Sequence, residues 1–550
     1  MGKKSSSKKQ KDMSSEKHAD HETAPEQGGG VPHDTKNHAR QSHKKWLITG
    51  LAVTSLVVLA FIGIVAIGGF LRATSISYYL PKETIGFIEI NTDFGGNQWT
   101  NVATLTKSSE PAMLQKMIEE VNSFFQIHLT EDVTPWLARR AGLALLPQGK
   151  TAIFLEIKDE KSALDFFEKR RLQGVTERLE KSIYQGSPIY QYIASTPLTL
   201  VRIGNYLVIT PDEETGKKII DSTRDPEKNL HGKKMFQKIE ENSSHENLVF
   251  TFGHPSLLIE EKQTMSDSSS LESILLKLAG VFSGESIEIR SDKKTLIIEH
   301  VGRFNDALIS KKNDTLNRSN NIRKISGKKY EGNFVRLFPA DTKVFMGGTR
   351  IYEIMQTFSA LTSSASELLS DQIFGNIASK FDKREQDILF SGEYAMGYID
   401  SESSESNVGD GHDMVIALEC TDEALLKKLA REIGSQPEFS DTKISFEILG
   451  NFAVLATQQK LLEDAKKRWN EKGESLRTAK NVEKIITSQI RYGDDIIIAT
   501  SEGAAPWLPA FPAEWNVSKT FSHISLASHM SEDGIKTRIL LGAASNTTTR

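Results

Sequence analysis

Side-by-side carboxylates occur at Glu119-Glu120, Glu213-Glu214 and Glu240-Glu241, the pairing that general acid–base chemistry uses. Each lies in a lysine-interleaved stretch of helical spacing, where a solvated helix face is the ordinary outcome. His245-Glu246 lacks the second histidine of a zinc-binding helix, and Gly216-Lys217 lacks the upstream glycine of a phosphate loop. No Gly-x-Ser-x-Gly turn occurs, and Ser326 with Lys329 copies a Ser-x-x-Lys spacing inside a polar, unpatterned run. The acidic run SESSESNVGDGHD (401–413) departs from the order of a twelve-residue calcium loop and reads as a hairpin tip. Cys420 ends an apolar run with no basic or imidazole neighbour nearby, so it reads as a small buried hydrophobe rather than a nucleophile. No catalytic, cofactor-binding or metal-ligating set emerges, and a non-enzymatic protein is expected.

Two apolar stretches stand above this background. AAPWLPAFPAEW (504–515) gathers Trp507, Phe511 and Trp515 among three prolines, which restrict the chain and could present the rings to a partner at small entropic cost. The competing use is a plug against the core, since the matching stretch GHPSLLI (253–259) is also apolar. SLESILLKLAGVFSG (270–284) carries Leu271, Ile274, Leu275, Leu278 and Val281 at helical spacing, which suits a core helix first and docking on a bilayer second.

The elements that must position these residues begin with WLITGLAVTSLVVLAFIGIVAIGGFL (46–71), uncharged over twenty-six residues. At about 1.5 Å per residue such a helix crosses a hydrocarbon core of roughly 30 Å, so a single transmembrane helix is expected. Lys36, Arg40, Lys44 and Lys45 before it outweigh Arg72 and Lys82 after it, which places the N-terminus in the cytoplasm and the remainder outside it. Residues 1–45 are polar, with ten basic against six acidic side chains, and are expected to be a disordered tail. The other residues carry 58 basic against 66 acidic side chains, a balance that excludes nucleic acid as partner of the large region. One cysteine in 550 residues leaves no intramolecular disulfide, so packing must hold the fold.

Beyond residue 76 the pattern runs through twice. Pro81, Thr84 and Phe87 return as Pro339, Thr342 and Phe345; Glu156 and Asp159 return as Glu419 and Asp422. A hairpin at Gly204-Asn205, residues that tolerate positive φ, returns at Gly450-Asn451. The expected class is α+β: a transmembrane helix (46–71), then two related lobes (76–310 and 330–545) joined by a polar linker (311–329), each lobe a mainly antiparallel sheet packed with helices.

Leu80-Pro81-x-x-Thr84-x-x-Phe87, Pro135-Trp136-Leu137, the strand Ala152 to Ile157 and the Gly204-Asn205 hairpin together resemble the family called domain of unknown function 3352. The resemblance implies a bacterial protein with an N-terminal membrane helix and a repeated α+β region outside the cytoplasm, and it implies no activity. Ala138 stands where the family pattern leads one to expect glycine. The expected role is a binding or structural module of the cell envelope, touching the bilayer through 46–71 and an envelope protein, polymer or lipid through the lobes. A carrier of an apolar ligand between the lobes is the first alternative and a hydrolase the second.

Overall fold

The structure is a computed structural model of the full chain. It describes residues 75–93, 96–105, 129–172, 178–193, 198–244, 246–255, 257, 282–293, 295–304, 329–349, 380–390, 392–399, 413–435, 444–471, 474–479, 482–500, 521–531 and 533–543. The expected transmembrane stretch, all of the linker 311–329 but Lys329, most of 270–284 and the whole of 504–515 lie outside these residues.

The first half supplies strands β1 (Gly86–Asn91), β2 (Leu137–Leu145), β3 (Thr151–Ile157), β4 (Arg178–Tyr184), β5 (Ser187–Ile193), β6 (Leu198–Ile203), β7 (Tyr206–Thr210), β8 (Val249–Gly253), β9 (Phe282–Asp292) and β10 (Thr295–Phe304). Its helices are α1 (Asn97–Leu105), α2 (Glu160–Leu172), α3 (Glu213–Arg224) and α4 (Lys234–Glu240). The second half supplies β11 (Val344–Gly348), β12 (Tyr394–Ile399), β13 (Asp413–Leu418), β14 (Ser445–Leu449), β15 (Phe452–Ala456), β16 (Asp495–Thr500), β17 (Phe521–Ser531) and β18 (Gly534–Ala543). With them come α5 (Lys383–Phe390), α6 (Glu423–Gly434), α7 (Gln459–Glu471) and α8 (Glu483–Tyr492).

These eighteen described strands form one antiparallel sheet. In the first half the spatial order is β4-β5-β6-β7-β3-β2-β1-β8-β9-β10. In the second it is β18-β17-β16-β11-β12-β13-β15-β14. β10 pairs with β18 from Thr295↔Gly542 to Arg303↔Gly534 and fuses the two runs.

The expected fold class is therefore corrected. The halves do not each close their own sheet: β10 and β18 would each expose a full row of backbone amides and carbonyls, and pairing them satisfies both edges at once. Nor does the expected membrane helix find support, because among the described residues no helix is long and apolar enough to cross a membrane, and 46–71 lies outside them.

Alternation decides which face of each strand is buried. On β1, Phe87 and Glu89 share one face and are each buried at 3%, and Phe87 meets Phe236, Phe250 and Phe252 beneath α3 and α4. The matching Phe345 packs on Phe338, in a core that includes Phe334, Phe452 and Ile486. Gly204 and Gly450 take φ of +54° and +72° at the hairpin tips, a conformation that the absence of a Cβ makes cheap. Cys420 is buried beside α6, and burial pushes its thiol up, so the thiolate is disfavoured.

Candidate functional site

Each half buries a carboxylate that holds the backbone leading towards its first strand. Glu89, 3% exposed on β1, accepts from the Ile76 amide at 2.7 Å and from Ser75 Oγ at 3.2 Å, and it pairs with Arg140 of β2. Burial opposes the charge on Arg140, but Glu89, with Tyr206 and Glu156, more than restores it. Next along the sheet, Glu156 accepts from the Arg139 amide at 3.2 Å; burial raises its carboxyl against the pull of Arg139 and Arg140. The phenol of Tyr206 lies in the same cluster and is raised well above its usual range by burial, then by Glu89 and Glu156.

In the second half Glu393, at the start of β12, accepts from the amides of Glu331 at 3.0 Å and Gly332 at 2.8 Å. Its own amide donates to Glu419 at 2.9 Å, as Arg139 donates to Glu156. Tyr330 and Tyr394 fill the places around it, both phenols held far up by burial. The two centres share one task. Each ties amides at or just before the start of a short 3-10 helix, Ile76–Tyr78 or Asn333–Leu337, to the sheet floor. A carboxylate whose lone pairs go to buried backbone amides is a latch, with little capacity left for a substrate.

The helix side of the β10–β18 junction is filled by ions. Glu299 takes Arg538 at 2.7 Å and Arg290 at 3.3 Å, and Arg538 lies 3.7 Å over the ring of Tyr492 from α8. Burial, with Glu299 next, pushes the Tyr492 phenol up to about 12. Lys536 of β18 reaches Asn242 of the first half at 2.6 Å.

An open cavity of about 450 Å³ lies elsewhere in the first half, between the entry to β1, the β2–β3 turn, the start of α4 and the segment after β8. Lys82, Glu83, Ile85, Pro147, Gln148, Lys233 and Leu257 line it. Gln148 holds φ at +66°, a region that side chains other than glycine rarely adopt. Lys233 is half-buried; loss of water lowers its pKa, Glu83 opposes that and Lys82 adds to it. The His254 ring, close to Lys233, is lowered to about 4 by burial and then by that ammonium, so it is neutral at neutral pH.

Trp507, Phe511 and Trp515, expected as partner contacts, lie outside the described residues. The cavity residues escape sequence reasoning because they come from four separated segments, each ordinary by itself. The positive φ at Gln148 has only the Pro147-Gln148-Gly149 turn as a signal. Glu89 was legible as sharing a face with Ile85 and Phe87, but nothing local pairs it with Arg140.

No curated protein matches the sequence. Among solved structures, TP0453 in crystal form III is similar at 7% identity, covering 45% of this chain and 88% of that one with a TM-score of 0.23. TP0453 in crystal form I gives 9%, 44%, 86% and 0.23 in the same order, a likeness too slight to carry an argument. The family described as "Protein of unknown function (DUF3352)" matches residues 52–447, and the chain belongs to that family.

Proposed function

We propose that this chain is a non-enzymatic binding module of the cell envelope. The observation that carries the reading is the use made of its buried carboxylates. Glu89, Glu156 and Glu393 are spent on backbone amides and an arginine inside the fold, which favours a rigid platform over a reacting cleft. The apolar stretch 46–71 beside a basic tail supports a place at the envelope, and the acidic balance of the rest supports a partner other than nucleic acid. The proline-restrained aromatics at 507–515 are the proposed contact for an envelope protein or polymer.

Chemical crosslinking in intact cells tests this, comparing the full chain with a Trp507→Ala/Phe511→Ala variant. Defined adducts with envelope components are expected, reduced about tenfold by the double substitution while the unfolding midpoint stays unchanged. Adducts confined to cytosolic proteins would overturn the proposed place, and an unchanged adduct pattern would overturn the aromatic contact.

A further inference from the structure

The geometry points to the cavity beside Lys233 as a binding site for an apolar monoanion, a carboxylate carried on a short hydrocarbon body. The inference rests on the reading as a binding module and names the ligand class of one site in it.

Charge sets the head group. Two ammoniums, Lys82 and Lys233, face the cavity with one carboxylate, Glu83, so the lining carries a surplus of one positive charge. His254 adds none, since it is neutral above about pH 4. A single negative charge is matched by that surplus; a dianion would meet Glu83 without a further cation to offset it. Lys233 is the focus because its ammonium has been drawn out of water yet forms no ion pair among the described residues. A half-buried cation in that condition gains most from an incoming anion, which replaces the lost hydration with a charge-assisted hydrogen bond.

Shape and polarity set the rest. Ile85, Pro147 and Leu257 supply the apolar part of the lining, and a volume of about 450 Å³ lies in the range of small-molecule pockets. Gln148 at the rim presents a neutral amide that can donate to a carboxylate oxygen. Three of the segments are fixed to their neighbours by backbone bonds. Lys82 N donates to Lys228 O at 2.9 Å, His254 N to Ile85 O at 2.6 Å, and Lys233 N to Leu230 O at 3.0 Å. The backbone that carries Lys82, Ile85 and Lys233 is thus held in place before any ligand arrives, which lowers the cost of ordering on binding.

Titration calorimetry on the full chain at pH 7.5 tests the site with decanoate, decanol, decyl phosphate and inorganic phosphate as probes. Decanoate is expected to bind saturably, one per chain, at least tenfold tighter than the other three. Lys233→Met should weaken decanoate tenfold or more, and Lys233→Arg should restore most of the affinity. A second reading does not depend on any variant folding: bound decanoate should protect Lys233 of the unmodified protein from amine acylation, followed by peptide mass. Equal binding of decanol would reduce the site to a greasy surface, tighter binding of either phosphate would overturn the monoanion assignment, and unprotected Lys233 would overturn the site. Envelope crosslinking through residues 507–515 is read separately, so either proposal can fail while the other stands.

Discussion

Arg538 Nε lies 2.7 Å from Glu299 Oε1, and the two residues are register partners at the middle of the β10–β18 pairing. One residue comes from each half, so this ion pair sits on the line along which the repeated pattern becomes a single sheet. Both side chains are largely shielded, at 21% and 13% exposure, and Arg290 supplies a second cation to the same carboxylate. Glu299→Gln should therefore lower stability by about 2 kcal/mol, the loss of charge-assisted bonds to two arginines. Denaturant unfolding checks it, and Glu299→Gln/Arg538→Met should cost less than the sum of its single changes, because the two act on one interaction.

The latch at Glu89 makes a stronger demand. Glu89→Gln takes the counter-charge, itself only 3% exposed, away from the largely shielded Arg140, and about 3 kcal/mol of destabilisation follows. The Ile76 amide, 2.7 Å from the carboxylate, should exchange its hydrogen faster in this variant, while amides of β17 keep their protection. Unchanged exchange at Ile76 would mean that the carboxylate does not hold the entry helix.

Helix α6 is capped by Asp422, whose Oδ1 accepts from the Ala424 amide at 3.0 Å and the Leu425 amide at 3.1 Å. Asp422→Ala should cost about 1 kcal/mol and Asp422→Asn much less, measured by the unfolding midpoint. Asp159 forms the matching cap on α2 through Ser162, and that contact holds its carboxyl below the usual range.

His254 gives stability a pH dependence of known sign. Its folded pKa, about 4, lies below the unfolded value of about 6.5, so the unfolded chain binds the proton first. The contribution is complete above about pH 6.5 and is lost as pH falls towards 4. Burial also lowers His523, with the same sign, whereas the raised carboxyls of Glu156 and Glu288 act in the opposite sense. The comparison that isolates the group is wild type against His254→Gln: melting temperatures at pH 7 and pH 5 should fall less far apart in the variant.

Local chemistry made the repeat legible in the sequence. Pro81 and Pro339 accept from Thr84 and Thr342 hydroxyls at 2.6 and 2.7 Å, so the matching Pro-x-x-Thr turns are the same object twice. The Gly-Asn hairpins were legible for the same reason: positive φ has a residue signature. β4 is not legible, since RLEKSIY carries its charges at an outer edge of the sheet, with Ile183 71% exposed, and offers no apolar face to read. The fusion of β10 with β18 was illegible because residues some 240 apart in the chain meet there, and strand pairing at that distance leaves no mark in composition or period. The cavity is hidden for a similar reason: Lys82, Gln148, Lys233 and Leu257 meet only through the tertiary fold.

Hydrogen exchange of the backbone amides in β10 and β18 bears most directly on the claim that the two halves are one sheet. If the pairing from Thr295↔Gly542 to Arg303↔Gly534 holds, both strands are interior, and their amides should exchange as slowly as those of β1 and β11 and open together. Fast exchange of alternate amides along β10 and β18, the pattern of two exposed edges, would contradict it.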